Sequence, residues 1–324
     1  MVYMKRFLTG ALAVACAGGV LGGAGQQQQP TFRGGRDAVR VFVTVTDKDG
    51  RLVTNLTQNH FEIRDDGKPQ PITAFDNSPQ PIRLIVMLDV SGSMAGNLPL
   101  LRNAAAQLFP RLGPDDVAKV GAFGREVTIS SEFTRDAAAL NAALPNDIEP
   151  DAPTPLWRGI DQAMSAFGAS EDDRRKVILV LSDGKDSGAT GPLSFSKSKR
   201  PASQAEVIDR ATRDEVMIYG VGMRSRGQRS PGIPPGGLQA ALLADMPDPG
   251  LARVAEEAGG GYVEIRPGQP LGLAFADIVQ ELHSQYLIAY APPKRDGKAH
   301  DISVKVNQGG LKPRARKNYI APKD

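Results

Sequence analysis

Oxygen-bearing side chains follow a run of apolar residues near position 89. Residues 84–88 are all apolar, which is typical of a strand that is buried on both faces of a parallel sheet. The run ends in Asp89, and Ser91 and Ser93 come directly after it. A carboxylate and two hydroxyls are hard donors, which suit Mg²⁺, Mn²⁺ or Ca²⁺ and not zinc. One carboxylate is too little to hold such an ion, so neighbouring strand ends must supply further oxygens.

Two candidates for the missing oxygens lie farther along the chain. Thr154 stands before Pro155 at the start of a predicted helix, and Asp183 follows a predicted strand over residues 176–182. Open α/β sheets bind ligands at the carboxyl ends of their strands. We therefore expect Asp183 and Thr154 to lie beside the cluster at Asp89.

Each of these residues also has a purely local interpretation. Asp89, Ser91 and Ser93 could cap a helix, because their side chains satisfy exposed backbone N–H groups. Thr154 before Pro155 could be another cap, and Asp183 with Gly184 could form a turn.

The ordered set of motifs favours a metal site over these local interpretations. D-x-S-x-S after an apolar strand, a threonine at a helix start and S-D-G after another strand resemble the metal-ion-dependent adhesion site of von Willebrand factor A domains. Integrin I domains and many secreted bacterial proteins share that site. The resemblance covers about residues 81–284. When the residues on either side of this range are included, the whole chain resembles VWFA-related exported proteins of Acidobacteria.

The resemblance implies a role for each residue. Ser91 and Ser93 would bind the metal through their hydroxyls, and Asp89 would bind it directly or through water. Thr154 matches the threonine of the second loop, and Asp183 matches the aspartate of the third, which often acts through water. Mg²⁺ is the expected ion, with Ca²⁺ and Mn²⁺ as alternatives. One coordination position would accept an Asp or Glu carboxylate of a protein partner. Ala152 and Pro153 depart from the glycines that are common there.

The resemblance also implies movement of the last predicted helix. In integrin I domains the last helix shifts when the site opens, and residues 275–284 hold that position here. Because they lead directly into the C-terminal β segment, a shift could reorient it.

The pattern of elements predicts an α/β, doubly wound, mostly parallel sheet in a domain over residues 81–284. The predicted strands are residues 84–88, 117–123, 126–129, 176–182, 216–221 and 262–265. The predicted helices are residues 98–112, 137–144, 156–167, 202–213, 251–258 and 271–284.

The two flanks, residues 38–78 and 285–320, have the period-two alternation of β-strands. Their predicted strands are residues 39–46, 61–64, 72–75, 286–290, 301–306 and 314–319, with a turn at 65–67 that joins the second and third strands. Neither flank has enough strands to bury a face alone. We therefore expect one small β-sandwich with the VWFA domain inserted in it; the alternative is two unrelated flanks packed on that domain.

Two segments, residues 186–201 and 224–237, are rich in glycine and in polar or basic residues and follow strand ends. Binding loops and tolerated surface insertions explain them equally well.

The N-terminal residues predict export. Lys5 and Arg6 precede an apolar run over residues 7–21, which is shorter than the roughly 20 residues of a membrane span. Residues 1–25 therefore read as a signal peptide, and residues 26–37 as a disordered spacer. Cys16 is either a small residue of a discarded peptide or the lipidated residue of a lipoprotein. The expected location is periplasmic or secreted, with or without a lipid anchor.

Charge and motif content argue against other classes of protein. The net charge is only +3, from 39 basic and 36 acidic residues, whereas nucleic-acid-binding proteins usually carry a basic stripe. None of the three histidines, His60, His283 and His300, lies near the metal motifs in the predicted fold, and there is no G-x-S-x-G or P-loop. We expect no enzymatic activity and no catalytic residues. A structural envelope scaffold with a non-essential metal, or a metal-dependent hydrolase, is the alternative.

Overall fold

The computed structural model describes residues 38–169, 172–187, 202–223, 247–265 and 269–323. The predicted signal peptide, the spacer, Cys16 and most of the two loop segments, 186–201 and 224–237, lie outside these residues. None of the described helices is long and apolar enough to cross a membrane.

The described residues form strands and helices in the following order along the chain. The strands are β1 (Val39–Thr46), β2 (Phe61–Asp65), β3 (Lys68–Gln70), β4 (Ala74–Asp76), β5 (Ile82–Asp89), β6 (Val117–Phe123), β7 (Val127–Ile129), β8 (Arg175–Ser182), β9 (Val216–Met223), β10 (Tyr262–Ile265), β11 (Tyr286–Tyr290), β12 (Ala299–Val306), β13 (Lys312–Arg314) and β14 (Asn318–Ile320). The helices are α1 (Leu98–Leu108), α2 (Ala137–Ala142), α3 (Leu156–Ser165), α4 (Gln204–Arg213), α5 (Pro249–Glu257) and α6 (Leu271–His283).

A six-stranded sheet forms the centre of the fold, in the order β10-β9-β8-β5-β6-β7. The strands are parallel except β7, which pairs antiparallel with β6. Its central strands are apolar on both faces because helices cover both faces. Along β5, Leu84 and Val86 face α1, α2 and α6, whereas Ile85 and Met87 face α3, α4 and α5. The predicted doubly wound α/β sheet is confirmed.

The two flanks together form two four-stranded sheets, β13-β1-β11-β4 and β14-β12-β2-β3. Each sheet joins strands that precede the central sheet to strands that follow it, through the antiparallel pairs β1 with β11 and β2 with β12. Both sheets contribute to one apolar core, which includes Val41, Ile63, Tyr286 and Ile302. The flanks thus build a β-sandwich jointly, as expected. The bounds of separate domains stay a prediction.

The pairing of the third flank strand was predicted wrongly. Residues 72–75 were expected to pair with 61–64, but β3 closes that hairpin, and β4 pairs with β11 in the other sheet. The cause is the turn at Asp66 and Gly67, where φ is 45° and 77°. Two successive residues with positive φ close a hairpin at once, so the next residues form the returning strand.

The C-terminal strands also differ from the prediction. Residues 314–319 form the end of β13 and most of β14, which belong to different sheets, instead of one strand. His300, which precedes the strand predicted over residues 301–306, lies within β12. The helices α1, α2 and α3 end two to four residues earlier than expected, and after α1 the chain continues as a 3-10 turn, Phe109–Arg111. Pro110 has no N–H with which to prolong α1.

Candidate metal centre

The fold brings three loops together at the carboxyl edge of the central sheet. Asp89 is the last residue of β5, and Asp183 follows the last residue of β8. These strands are parallel neighbours, with Leu88 opposite Leu181, so their ends meet. Thr154 lies in the loop before α3. The structure therefore places all five predicted residues, Asp89, Ser91, Ser93, Thr154 and Asp183, on these loops.

Asp89 organises the first loop. Its carboxylate is fully buried and accepts two hydrogen bonds, from the Ser91 N–H to Oδ1 at 2.9 Å and from the Ser182 hydroxyl to Oδ2 at 2.5 Å. The first bond fixes the turn after β5, and the second ties β5 to β8. Ser182 is the first residue of the S-D-G motif, but the sequence analysis assigned no role to it.

The electrostatics of this edge favour a cation. Burial raises the pKa of Asp89 to about 7, helped by the nearby carboxylate of Asp183 and opposed by the hydrogen bonds from Ser182 and Ser91. Two neighbouring carboxylates repel each other when both are charged, and a positive ion placed between them stabilises their charged forms.

The two serine hydroxyls have the spacing of neighbouring ligands. Ser91 Oγ and Ser93 Oγ are 3.1 Å apart. Mg²⁺ binds oxygens at about 2.1 Å in octahedral geometry, which puts adjacent ligands about 3.0 Å apart. Ser91 is buried and Ser93 is partly buried, so neither residue is freely exposed to solvent. The donor set fits a hard divalent ion.

Hydrogen bonds connect the second loop to the other two. The Gly92 N–H donates to the Ala152 carbonyl at 3.1 Å, which joins the first and second loops. The Thr154 N–H donates to Ser187 Oγ at 2.7 Å, and the Ser187 N–H donates to the Thr154 carbonyl at 3.0 Å, which joins the second and third. Thr154 is buried. Ser187 was missed because it belonged to a segment without a recognisable motif.

The third loop is held by its own backbone and by a distant residue. Asp183 is buried, and its Oδ1 accepts from the Lys185 N–H at 3.2 Å. The Asp248 N–H donates to the Asp183 carbonyl at 3.1 Å. A Cβ on Gly184, where φ is +76°, would come 3.0 Å from the Asp248 carbonyl oxygen. No local signal pointed to Asp248, because it lies 65 residues farther along the chain.

The capping interpretation of the hydroxyls finds no support in the described residues. Ser91 occupies the N-cap position of the 3-10 turn Gly92–Asn97, but its side chain makes no capping hydrogen bond there. The N-cap position of α3 is Pro155 and not Thr154. These two hydroxyls are therefore not used as helix caps, while their role as metal ligands stays a prediction.

The fold and this loop cluster define an α/β sheet domain with oxygen donors at one strand edge. Residues 84–185 match the family model described as von Willebrand factor type A domain, so the chain contains a domain of this family. The likeness to exported Acidobacteria proteins stays a prediction. A comparison with curated protein sequences gave no match.

Several solved structures resemble the chain. One is described as von Willebrand factor type A from Catenulispora acidiphila, at 13% identity over 89% of this chain and 74% of that one, with a TM-score of 0.47. Another is an aerotolerance-related membrane protein from Bacteroides fragilis, at 16% identity over 62% and 98%, with a TM-score of 0.45. A third is proximal thread matrix protein 1 from the mussel byssus with a zinc-occupied MIDAS motif, at 15% identity over 68% and 50%, with a TM-score of 0.47. At such low similarity nothing about the function of those proteins transfers to this chain.

Proposed function

We propose that the chain is a metal-dependent protein-binding and adhesion module of an exported bacterial protein. In this proposal a divalent cation, Mg²⁺ in the first place, captures an acidic group of a partner. The observation that supports it best is that three hydrogen-bonded loops at one edge of the sheet carry five oxygen-bearing side chains. These side chains are Asp89, Ser91, Ser93, Thr154 and Asp183.

The contacts of each side chain suggest its role. Both oxygens of Asp89 already accept a hydrogen bond, which favours an orienting role with contact to the ion through water. The hydroxyls of Ser91 and Ser93, and that of Thr154, would then be direct ligands. Asp183 would complete the charge balance, because two carboxylates match one divalent ion. With neutral hydroxyls and water as the other ligands, the ion keeps affinity for a partner's carboxylate.

A titration of the full chain with Mg²⁺, followed by calorimetry, tests the metal site. We expect one ion per chain, and we expect Ser91→Ala to lower the affinity at least about tenfold because a direct ligand is lost. Ser165→Ala is the matched control, since Ser165 lies at the end of α3 and, among the described residues, its hydroxyl bonds only to the Asp161 carbonyl. Equal Mg²⁺ affinity in the two variants would refute the site.

Capture of partners from an envelope extract tests the binding role. We expect proteins retained in Mg²⁺ to be released by EDTA, and an Asp89→Ala variant to retain none of them. If Asp89→Ala loses Mg²⁺ but keeps its partners, the metal is non-essential and the scaffold hypothesis holds instead. A hydrolytic activity that needs a divalent metal and disappears in the same variant would favour the hydrolase hypothesis.

Export and anchoring belong to the same proposal. We propose a periplasmic or secreted protein, with lipid attachment at Cys16 as an alternative form. The mass of the mature protein from its native host distinguishes the two, because a lipidated chain begins at Cys16 and a simply cleaved one begins near residue 26.

A further inference from the structure

A second group of potential metal ligands lies in the sheet β14-β12-β2-β3. Asp65 ends β2, Asp66 is in the hairpin turn, and His300 is in β12, which pairs with β2. The backbone fixes the turn against β12, because the Asp66 N–H donates to the Asp301 carbonyl at 3.0 Å and the Asp301 N–H donates to Asp66 Oδ1 at 3.1 Å. One segment of each flank thus supplies this group.

The three side chains face one another at the spacing of ligands to one ion. His300 Nδ1 is 2.9 Å from Asp66 Oδ2 and 3.6 Å from Asp65 Oδ1. One ligand atom of each residue lies within 4.8 Å of the other two. A metal held at about 2.0–2.2 Å from nitrogen and oxygen ligands needs separations of this order.

Asp65 has one oxygen that is fixed and one that is not hydrogen-bonded. Its Oδ2 accepts from the hydroxyls of Tyr290 at 2.8 Å and Tyr319 at 2.6 Å. Its Oδ1 is buried and has no hydrogen-bond partner among the described residues. The side chain is 1% exposed, and leaving a buried carboxylate oxygen unsatisfied costs free energy. The two tyrosines therefore hold Oδ1 in place toward the imidazole, where a cation would satisfy it.

His300 is oriented by a further carboxylate. Its Nε2 lies 3.0 Å from Asp296 Oδ1, and the side chain is 3% exposed. When Nε2–H donates to a carboxylate, Nδ1 carries a lone pair toward the opposite side. This arrangement of carboxylate, histidine and metal is frequent around bound metals, because it fixes the tautomer and raises the basicity of the ligand.

We propose that Asp65 Oδ1, Asp66 Oδ2 and His300 Nδ1 bind a divalent transition metal, with Asp296 as a positioning residue. The nitrogen ligand favours Zn²⁺ or a similar ion over Mg²⁺ and Ca²⁺, which prefer oxygen alone. The carboxylates of Asp65, Asp66 and Asp296 surround this imidazole. Lys294, whose Nζ is 3.4 Å from Asp66 Oδ2, is mostly exposed, and Lys298 lies near Asp296. The ion would offset this excess of negative charge and join β2 of the first flank to β12 of the second.

Zinc titration of the full chain in a Ser91→Ala, Ser93→Ala background tests this site, because that background removes two hydroxyl ligands of the other metal centre. The probe is Zn²⁺ in competition with a chelator, at saturating Mg²⁺. We expect one zinc per chain, and at least about tenfold weaker binding in His300→Gln and Asp65→Asn, with a smaller loss in Asp296→Asn. His60→Gln is the matched control, because among the described residues the His60 imidazole hydrogen-bonds only to Thr57.

A variant at the site could lose zinc simply because it fails to fold. A measurement on protein in which the proposed zinc ligands are unchanged avoids this problem. X-ray absorption of the zinc-loaded background protein should give a first shell of nitrogen and oxygen at about 2.0–2.2 Å, with the signature of one imidazole. The proposal is overturned if this protein binds no zinc, if the shell lacks an imidazole, or if folded His300→Gln protein binds zinc as tightly as the His60→Gln control. None of these results depends on the Mg²⁺ site.

Discussion

At the scale of single residues, Gly92 has a packing role that is separate from the metal-binding role proposed for its neighbours Ser91 and Ser93. A Cβ at this position would lie 1.8 Å from the Pro150 carbonyl oxygen, in the loop that also carries Thr154. Two backbones therefore approach each other more closely than any side chain permits. The glycine of the motif is required by packing between the first and second loops, independently of any metal.

We predict that Gly92→Ala separates these loops and weakens the metal centre. The unfolding free energy should fall by about 1–3 kcal/mol, as for other overpacked sites, and Mg²⁺ affinity should fall with it. Urea denaturation and calorimetry measure the two effects. Gly309→Ala is the control, since no atom lies within 4 Å of its added Cβ. Equal stability of the two variants would show that the loops do not pack as described.

The second residue-scale prediction concerns acid stability and Asp116. This buried carboxylate accepts from the N–H groups of Ile82 at 2.9 Å and Gly113 at 2.7 Å, and it pairs with His283 Nε2 at 2.8 Å. Burial raises the pKa of Asp116, but the hydrogen bonds from His283, Ile82 and Gly113 outweigh it, so the pKa lies below its usual value. A carboxylate with a lowered pKa stabilises the fold above the unfolded-state pKa of about 3.9.

We therefore expect Asp116→Asn to cost about 2 kcal/mol of unfolding free energy near pH 6, as expected for the loss of hydrogen bonds to a charged group. The difference from the wild type should shrink as the pH falls below about 4, through the folded-state pKa, because the wild-type carboxyl then becomes neutral as well. Urea denaturation between pH 2 and 6 measures this difference in unfolding free energy. Asp115→Asn is the control, because Asp115 is the neighbouring residue and is exposed. A difference that is constant with pH would contradict this account.

At the scale of elements, α6 is the link between the central sheet and the sandwich. Glu281, near its end, accepts hydrogen bonds from Thr44 Oγ1 of β1 at 3.1 Å, from the Tyr219 hydroxyl of β9 and from the Arg314 guanidinium of β13. Only two residues separate the end of α6 from the start of β11. One carboxylate thus connects the last helix to both parts of the fold.

We predict that Glu281→Gln lowers the unfolding free energy by about 2 kcal/mol, because Arg314 loses its ionic partner in a partly buried place. Glu256→Gln is the control, since Glu256 is 64% exposed and pairs with Lys317 at 3.5 Å; such exposed pairs contribute about 0–1 kcal/mol. Urea denaturation measures the unfolding free energies of the two variants.

The same variant tests the proposed coupling between α6 and the metal centre. If α6 shifts when the site opens, a weaker attachment of α6 to the sandwich should change the affinity for the partner. The affinity for Mg²⁺ should then change as well. Unchanged affinities in Glu281→Gln, together with unchanged affinity after deletion of residues 271–324, would count against a two-state role for this helix.

At the scale of the whole molecule, the two flanks depend on each other for their hydrogen bonds. Among the described residues, β1 pairs with β11 and β13, and β2 pairs with β12 and β3, so most partners of the first flank come from the second. A flank alone would expose strand edges and the apolar side chains of the shared core.

We predict that truncation after Ser284 unfolds the first flank and leaves the central sheet intact. Amide hydrogen exchange should become nearly as fast as in an unstructured peptide over residues 39–46 and 61–65, because local stability disappears with the pairing strands. Residues 82–89, within the central sheet, are the internal control and should remain protected. Protection of residues 39–46 in the truncated chain would support the alternative of independent flanks.

The sequence by itself was enough to predict the central sheet and to select the candidate residues of the metal site. Continuous apolar runs at 84–88 and 176–182 predict strands covered on both faces, and the confirmed strands are one or two residues longer at their ends. The order of the D-x-S-x-S motif, Thr154 and Asp183 was enough to anticipate that these residues share one sheet edge. Such patterns are readable because they reflect local geometry and the polarity of parallel strands.

Only the tertiary structure decided which distant residues meet. Asp66 and His300 are 234 positions apart, and the bond of Ser182 to Asp89 depends on the register of β5 with β8. The turn at Asp66 and Gly67 sent residues 74–76 into a different sheet from the one that periodicity alone suggested. Alternation reveals which face of a strand is buried, but not which strand lies beside it, because pairing is fixed by turn geometry and by packing of the whole core.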